Sequence, residues 1–281
     1  MAQPLISVII PCHDSAQYVG KAIEAALAQT YRNLEIIIVD DHSADNLDRV
    51  VAPYLAAHPA IRYVKNPYDD PDRVAPNGVN INAGWQAKNY GMEIARGEIF
   101  TFQDADDGSC SNRIEFLHDA MRKYNVMFIS CGWQQYRDEY NGKKLDWQLT
   151  ESDLIATPEI LRLAKKTKPI LFKHPFVKDE RNKNFVEKIL RRINREYLLD
   201  WTPYPGASGS FLLKKEVFAK CRFRQLYERA RPSKAGRGKD RDLAFWIAET
   251  FKSSLVVKVP LYLWRQKNQN ADYLDEKYRP K

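Results

Sequence analysis

The stretch LISVIIPCHDSAQYVGKAIEAALAQTYRNLEIIIVDD (residues 5–41) contains two short apolar runs separated by a segment with helical spacing. The first run ends at Pro11, and the second, LEIIIVD, covers residues 34–40. Short continuous apolar runs are typical of strands in a parallel sheet that helices cover on both faces. The segment between the runs repeats apolar residues three and four positions apart, which predicts a helix over about 16–29. This stretch therefore predicts a strand–helix–strand unit with parallel strands.

The same alternation continues through the first half of the chain. Further strands are predicted near 61–64, 98–103 and 126–131, and further helices near 44–58, 83–95 and 112–124. The second half is less regular, with a predicted helical and basic segment at about 150–203, a strand at 209–213, a helix at 240–251 and a strand at 255–262. The predicted fold class is α/β, with a mostly parallel central sheet flanked by helices and a basic helical C-terminal half. No internal repeat is visible, so a single domain over 1–281 is expected.

The composition is that of a globular protein. The 281 residues are 44% hydrophobic and 28% charged, which excludes disordered and fibrous classes. No apolar run approaches the ~20 residues of a membrane span, and the first residues lack the pattern of a signal peptide. The four cysteines are far apart and form no CxxC pair, so neither a disulfide framework nor a zinc site is expected. These features predict a cytoplasmic protein with reduced cysteines.

The charge is unevenly distributed. Lys and Arg number 44 against 36 Asp and Glu, a net charge of +8, and the excess lies in residues 160–241. A basic region of this kind suits an anionic partner, although it can also be a solvated surface without a partner. No nucleic-acid-binding motif accompanies the basic residues, so nucleic acid is not an expected partner. Peripheral contact with an anionic membrane, at its inner face, is a hypothesis that rests on charge alone.

Polar residues follow three of the predicted strands. They are Pro11 to Asp14, Asp40 to Ser43, and Asp104 to Asp107. Ligands of open α/β sheets bind beyond the carboxyl ends of the strands, so these residues are expected at one edge of the sheet. Carboxylates there suit a divalent cation that is also held by substrate phosphates, although acidic clusters also occur as helix caps or solvated loops.

Several enzyme classes are disfavoured by missing motifs. No GxGxxG follows the first strand, and no GxxxxGK[ST] phosphate loop is present. HExxH and GxSxG are absent as well. Dinucleotide-binding, P-loop, metalloprotease and serine hydrolase functions are therefore not expected.

The sequence resembles family 2 glycosyltransferases, which are inverting enzymes with a Rossmann-like fold called GT-A. The matching segments, in the family's order, are SVIIPCHDSAQYVGKAIEAALAQTYRNLEIIIVDDHSAD, NAGWQAKNYGMEIARGEIFTFQDADD, GASGSFLLKKEVF, GKDRDLAFWI and PLYLWRQ. The resemblance covers about 5–132 and 205–266, whereas 135–203 carries none. It implies transfer of a sugar from a nucleotide-sugar, most often a UDP-sugar, to a hydroxyl of a glycan or lipid-linked acceptor, with Mn²⁺ or Mg²⁺. Residues 1–132 would bind the nucleotide-sugar and 133–281 the acceptor.

The resemblance also implies roles for the matched residues. Nucleotide-sugar binding is implied for Pro11, His13, Asp14, Asp41, Lys88, Asp104 and Asp106. Asp106 and Asp107 are the implied metal ligands, and Asp240 is the implied catalytic base, with Asp242 as its nearest alternative. A weaker expectation places Trp201, Tyr204, Gly209, Lys239, Trp264 and Lys267 in the acceptor or sugar pocket. Helix capping or core packing is the competing explanation for many of these residues.

Two departures from the family pattern affect the site. Lys239 stands where the family usually has Glu before the base, and Trp264 to Lys267 stand where many members have Tyr-Arg-x-His. A lysine beside Asp240 favours the ionised carboxylate and makes it a weaker base. A second hypothesis is therefore a catalytically impaired sugar-nucleotide-binding or scaffold protein of the same fold. Nucleotidyl transfer is disfavoured because PCHDSAQYVG lacks a Gly-rich, Arg-containing loop.

Overall fold

The computed structural model describes residues 3–70, 73, 82, 84–167, 209–225, 228–229 and 239–265. The strands within these residues are β1 Ile6–Cys12, β2 Leu34–Asp40, β3 Ile61–Lys65, β4 Ile99–Phe102, β5 Gly108–Ser109, β6 Phe128–Gln135, β7 Leu154–Ala156, β8 Phe211–Lys214 and β9 Ser254–Trp264. The helices are α1 Ala16–Leu27, α2 Leu47–Ala57, α3 Trp85–Ile94, α4 Arg113–Lys123, α5 Thr157–Thr167, α6 Lys215–Phe218 and α7 Lys239–Phe251.

These strands form one mixed sheet. Its order is β3-β2-β1-β4-β8-β6-β9-β5, and β7 also pairs with β9. The pairs β3–β2, β2–β1, β1–β4 and β6–β9 are parallel, whereas β8, β5 and β7 pair antiparallel over two or three residues each. The prediction of an α/β fold with a mostly parallel sheet is confirmed.

The direction of chain progression reverses at β1. From β1 the chain forms β2 and β3 on one side, and β4 later pairs on the other side of β1. Such a switch point opens a crevice at the carboxyl ends of the central strands. The polar residues that follow β1, β2 and β4 are therefore placed around one crevice.

Side chains of β1 alternate between two apolar layers. Val8 and Ile10 belong to the same buried cluster as Val19 and Ile23 of α1. Ile9 belongs to the opposite cluster, which α3 and α7 cover. At the α3 contact, a Cβ on Gly91 would collide with the side chain of Ile9, so glycine permits the close approach of helix and strand.

Three further sequence expectations can be compared with the structure. All four cysteines are buried and free, which confirms the absence of disulfides. No helix among the described residues has the length and apolar character to cross a membrane. The expectation of helix from about 150 was wrong at its start, because 151–153 form a single 3-10 turn and β7 follows it. The backbone of β9 supplies hydrogen-bond partners there, and such tertiary pairing overrides local preference. The rest of that segment, from 168, lies outside the described residues.

A buried carboxylate joins strand and helix ends at the edge of the sheet opposite the crevice. Glu35, 2% exposed, accepts hydrogen bonds from the Ser7 hydroxyl and from the backbone amides of Arg96 and Gly97. Its second oxygen lies 3.1 Å from Arg96 Nε and 3.3 Å from Arg62 Nη1. Burial alone would raise the pKa of Glu35, but these hydrogen bonds and the Arg96 charge outweigh burial and lower it. The ionised form is therefore part of the folded state.

Replacing this carboxylate tests its contribution to stability. We expect Glu35→Gln to lower the free energy of unfolding by about 2–3 kcal/mol at pH 7, because buried N–H donors lose an ionised acceptor. The pKa of Glu35 is lower in the folded state than its ordinary value of 4.5. The carboxylate therefore stabilises the fold fully above pH 4.5, and this stabilisation is lost as the pH falls through the folded-state pKa. Urea unfolding at several pH values should therefore show that the free energies of unfolding of the wild type and Glu35→Gln come closer together in acid. Glu98→Gln, at an exposed glutamate near Gly97, is the control. A loss of stability in Glu35→Gln that does not depend on pH would contradict this account.

Candidate functional site

The loops after β1 and β2 are tied together at the crevice. His13 Nδ1 lies 2.7 Å from the carbonyl oxygen of Asp41. The backbone amide of Asp14 donates to Ser43 Oγ, and the amide of Ala44 donates to Asp14 Oδ1 at 2.7 Å. Pro11 lies in β1, beside these contacts. Four residues that the sequence assigned to nucleotide binding, Pro11, His13, Asp14 and Asp41, therefore lie on one side of the crevice.

Asp41 is an ion-paired carboxylate in this structure. It is 1% exposed and accepts a 2.7 Å hydrogen bond from Asn66 Nδ2. Arg73 contacts both of its oxygens, with Nη1 at 3.1 Å and Nη2 at 2.9 Å. Sequence reasoning missed both partners of Asp41. Asn66 could have been found, because it follows β3 directly at the same edge of the sheet.

A second cluster joins residues from three distant parts of the chain. Lys88 of α3 is completely buried, and its Nζ lies 2.8 Å from Asp104 Oδ1 and 3.4 Å from Asp240 Oδ1. Burial alone would lower the pKa of Lys88, but the two carboxylates outweigh burial and raise it. Lys88 therefore carries a full charge between the residue that follows β4 and the first turn of α7.

Lys239 contacts the other oxygen of Asp240. Its Nζ lies 3.7 Å from Asp240 Oδ2, and the residue is 8% exposed. Burial lowers the pKa of Lys239 to about 8, although the charge of Asp240 acts in the opposite direction. Asp240 thus has a lysine at each oxygen, with Lys88 on the side of Asp104.

Asp242, the alternative to Asp240, has a different environment. It is 1% exposed and receives two hydrogen bonds from Arg224, at 2.8 and 2.9 Å. The Arg224 guanidinium also lies 4.4 Å from the centre of the Trp246 ring. This bidentate pairing engages both oxygens of Asp242, so Asp240 stays the candidate base of α7.

Asp107 shapes the acidic loop after β4. Its two oxygens accept hydrogen bonds from the Tyr262 hydroxyl at 2.8 Å and from the backbone amide of Arg265 at 2.7 Å. Arg265 Nε also donates to the carbonyl oxygen of Asp106. Burial and the nearby charge of Asp106 raise the pKa of Asp107 well above its usual value. These contacts with the end of β9 fix the backbone of the loop.

Asp106 is the carboxylate of this loop that fits a cation best. Burial and the charge of Asp104 raise its pKa to about 6, and no other described residue donates a hydrogen bond to its carboxylate. Among the described residues, no three His, Cys, Asp or Glu side chains form a group that could hold a metal on their own. One or two carboxylates completed by substrate phosphates are the usual arrangement for Mg²⁺, and Asp106 with Asp104 fits that arrangement. Each oxygen of Asp107 already accepts a hydrogen bond, which leaves it fewer lone pairs for a cation. Ligation of the metal by Asp107 stays a prediction.

The weaker pocket residues are only partly described. Gly209 has φ of +72°, and an added Cβ would lie 2.6 Å from the Tyr262 ring, so only glycine permits this approach. Trp264 packs edge to face on Trp133, with ring centres 4.8 Å apart. Trp201, Tyr204 and Lys267 lie outside the described residues.

Arg113 is a buried residue that sequence reasoning also missed. Its Nη1 donates to the Gly209 carbonyl at 2.7 Å and to Thr101 Oγ1 at 2.9 Å. Burial lowers its pKa. Arg113 thereby holds the turn before β8 against the strand that ends at the acidic loop.

Comparison with known proteins identifies relatives of this chain. Residues 7–229 match the family described as "Glycosyl transferase family 2". Glycosyltransferase GlyG of Streptococcus pneumoniae serotype 4 is 31% identical over 138 residues, which are 49% of this chain and 42% of GlyG. The chain thus spans less than half the length of this relative.

Two solved structures share the fold. S. aureus TarS 1-349, in complex with UDP-GlcNAc, aligns with 94% of this chain and 59% of its own, with a TM-score of 0.56 and 12% identity. Mannosyltransferase PcManGT from Pyrobaculum calidifontis, in complex with GDP-Man and Mn2+, aligns with 96% of this chain and 59% of its own, with a TM-score of 0.54 and 16% identity. At these identities the likeness shows the fold alone.

The bridge formed by Lys88 can be tested by unfolding experiments. We expect Lys88→Met to lower the free energy of unfolding by about 3–5 kcal/mol, because two carboxylates lose their shared buried cation. Adding Asp240→Asn should recover part of that loss, since one uncompensated charge is then removed. Lys215→Met, at an exposed lysine, is the control. Strictly additive effects of the two substitutions in guanidinium unfolding would argue against the bridge.

Proposed function

Because the chain belongs to glycosyltransferase family 2 and has the GT-A fold, we propose that it transfers a sugar from a nucleotide-sugar to a hydroxyl of a glycan or lipid-linked acceptor, with inversion and with Asp240 as general base. The observation that carries this proposal is the cluster in which Lys88 joins Asp104 to Asp240. It supports a base on α7 close to the loop that would hold the donor diphosphate.

The proposed reaction is a single displacement. Asp240 accepts the proton of the acceptor hydroxyl while the acceptor oxygen bonds to the anomeric carbon. The bond between that carbon and the diphosphate oxygen breaks, and the nucleoside diphosphate leaves with the electron pair. A positioned base of this kind contributes about 10²–10⁴-fold to the rate.

We assign the nucleoside to the side of the crevice formed by the loops after β1 and β2. Pro11, His13, Asp14 and Asp41 meet there, and Asn66 and Arg73 already give Asp41 a hydrogen-bonded environment. A UDP-sugar is the proposed donor, as the family resemblance implies. The solved relatives hold UDP-GlcNAc in TarS and GDP-Man in PcManGT, so an experiment must compare donors.

Asp106 and Asp104 are proposed to hold a Mn²⁺ or Mg²⁺ ion together with the donor diphosphate. Such an ion neutralises charge on the departing diphosphate. Asp107, through Tyr262 and Arg265, keeps the loop in the conformation that directs these residues. Lys88, buried beside Asp104, supplies a fixed positive charge on the same side.

One observation favours the alternative of a catalytically impaired sugar-nucleotide-binding protein. Lys88 lies 3.4 Å from Asp240 Oδ1 and Lys239 lies 3.7 Å from Asp240 Oδ2. With a lysine beside each oxygen, Asp240 has less room to contact an acceptor hydroxyl. Measured sugar transfer distinguishes an active transferase from an impaired protein that only binds the sugar nucleotide.

Substitution of the proposed base is the direct test. We expect Asp240→Asn to reduce sugar transfer about 10²–10⁴-fold, while the affinity for nucleoside diphosphate changes little. Transfer is followed by release of nucleoside diphosphate, and affinity by calorimetry. Asp119→Asn, at an exposed acid of α4, is the control. If the wild type transfers sugar and Asp240→Asn does so equally well, Asp240 is not the base, and a wild type that binds donor without turnover supports the alternative.

Donor and metal can be identified by thermal unfolding. UDP-, GDP-, CMP- and dTDP-sugars are compared with and without Mn²⁺, and a true donor at 100 times its Kd stabilises the folded state by about 2.7 kcal/mol. We expect the largest shift with a UDP-sugar and Mn²⁺, and we expect Asp106→Asn to remove most of the Mn²⁺-dependent part. A protein that responds to none of these donors would contradict the proposed function.

Contact with an anionic membrane remains a proposal that rests on the basic composition of residues 160–241. It fits a lipid-linked acceptor. Co-sedimentation with vesicles should then increase with the fraction of anionic lipid, and equal binding to neutral vesicles would remove this part of the proposal.

A further inference from the structure

The charge of Lys239 is poorly compensated within the described part of the chain. Its amine has one ion-pair contact there, 3.7 Å from Asp240 Oδ2, and no described residue accepts a hydrogen bond from it. Asp240 is shared with Lys88, so one carboxylate serves two buried cations. A buried ammonium group needs acceptors for its three donors, and burial without them is costly. Burial is the main reason that the pKa of Lys239 is lowered to about 8.

Other cations surround this lysine. Arg229 is 3% exposed and, like Lys88, its charge acts to lower the pKa of Lys239. In sequence, the segment RARPSKAGRGK at 229–239 carries five basic residues and no acidic residue. Two buried cations near Lys239, together with the basic sequence before it, favour an anionic ligand at its amine.

The position of Lys239 indicates which substrate would supply the anion. Asp240 Oδ1 faces Lys88, which is also paired with Asp104 on the proposed donor side. Lys239 contacts the opposite oxygen, Oδ2, and so lies on the other side of the carboxylate. A group bound by Lys239 would lie next to the proton that Asp240 accepts, which belongs to the acceptor hydroxyl.

We propose, as an inference that rests on the proposed function, that the acceptor carries an acid group close to its reacting hydroxyl. This group is a carboxylate or a phosphate, and Lys239 binds it. The acid group gives Lys239 the charge-assisted hydrogen bond that the described protein residues do not provide. It also engages the ammonium group that contacts Asp240 Oδ2 in this structure, so that this oxygen can meet the acceptor hydroxyl. Lys239 then selects the acceptor and frees the base through one interaction.

Matched pairs of small acceptor analogues test this proposal. Calorimetry measures their binding to the protein loaded with UDP and Mn²⁺, or with the nucleotide that the thermal screen selects. The pairs are methyl glucuronide with methyl glucoside, and glycerol 3-phosphate with glycerol, so the carboxylate and phosphate arms are separate. We expect the acid member of at least one pair to bind about 10- to 100-fold more tightly, as one charge-assisted hydrogen bond predicts.

Variants of Lys239 assign that preference to its side chain. Lys239→Met should abolish the preference, Lys239→Arg should retain most of it, and Lys239→Glu should reverse it. Lys215→Met, at an exposed lysine, is the charge-matched control and should keep it. Nucleotide affinity should change less than about threefold in Lys239→Met, and a loss of about tenfold or more would place Lys239 on the donor and overturn the proposal.

The comparison in the wild type does not depend on any variant being folded. Normal nucleotide binding with equal affinity for acid and neutral analogues would overturn this inference and leave the proposed function standing. An acid preference that persists in Lys239→Met would also overturn it. Failure of the wild type to bind any nucleotide or to transfer any sugar would overturn the proposed function, and this inference with it.

Discussion

The site depends on one buried cation that two carboxylates share. Lys88 lies in α3, Asp104 follows β4, and Asp240 begins α7, so a single ammonium group fixes the relative positions of three elements. None of the three charges would be stable in its place without the others, because each is largely removed from water. This mutual dependence keeps the loop that follows β4 and the first turn of α7 at a constant separation. In the displacement that we propose, the groups that act on opposite ends of the reacting bond need such a constraint.

Much of the fold is readable in the sequence because buried parallel strands have a simple signature. The run LEIIIVD predicts a strand at residues 34–40, where β2 lies, and the helical spacing after Ser15 predicts α1 to within two residues of its end. Short strands such as β5 and β7 have no comparable signature. They consist of two and three residues, and they form because β9 offers a backbone edge to pair with. Such pairing is a property of the tertiary structure.

The candidate site likewise contains residues that the sequence predicts and partners that it does not. The rule that ligands bind beyond strand ends brings Asp41, Asp104 and Asp106 to one crevice. Their partners could not be predicted, because Lys88 and Asp240 are 152 positions apart and Arg73 lies in a polar stretch without a motif. The partners also differ between nearby acids, since Arg224 pairs with both oxygens of Asp242, which is only two residues from Asp240. Sequence spacing identifies candidate acids, and only the ion pairs separate them.

Under the proposed placement of the nucleoside, the contact between Arg73 and Asp41 affects the choice of nucleobase. A carboxylate offers acceptor oxygens, and here Asp41 Oδ2 accepts a hydrogen bond from Arg73 Nη1 while Oδ1 accepts one from Asn66 Nδ2. A nucleobase that reaches Asp41 must therefore exchange with Arg73 and return donors of its own. Uracil and guanine present a ring N–H for this purpose, whereas cytosine presents an amino donor beside a ring nitrogen that is itself an acceptor. Nucleobases are then distinguished by how well their N–H donors compete with Arg73 for Asp41. A base that cannot replace the hydrogen bond from Arg73 is disfavoured.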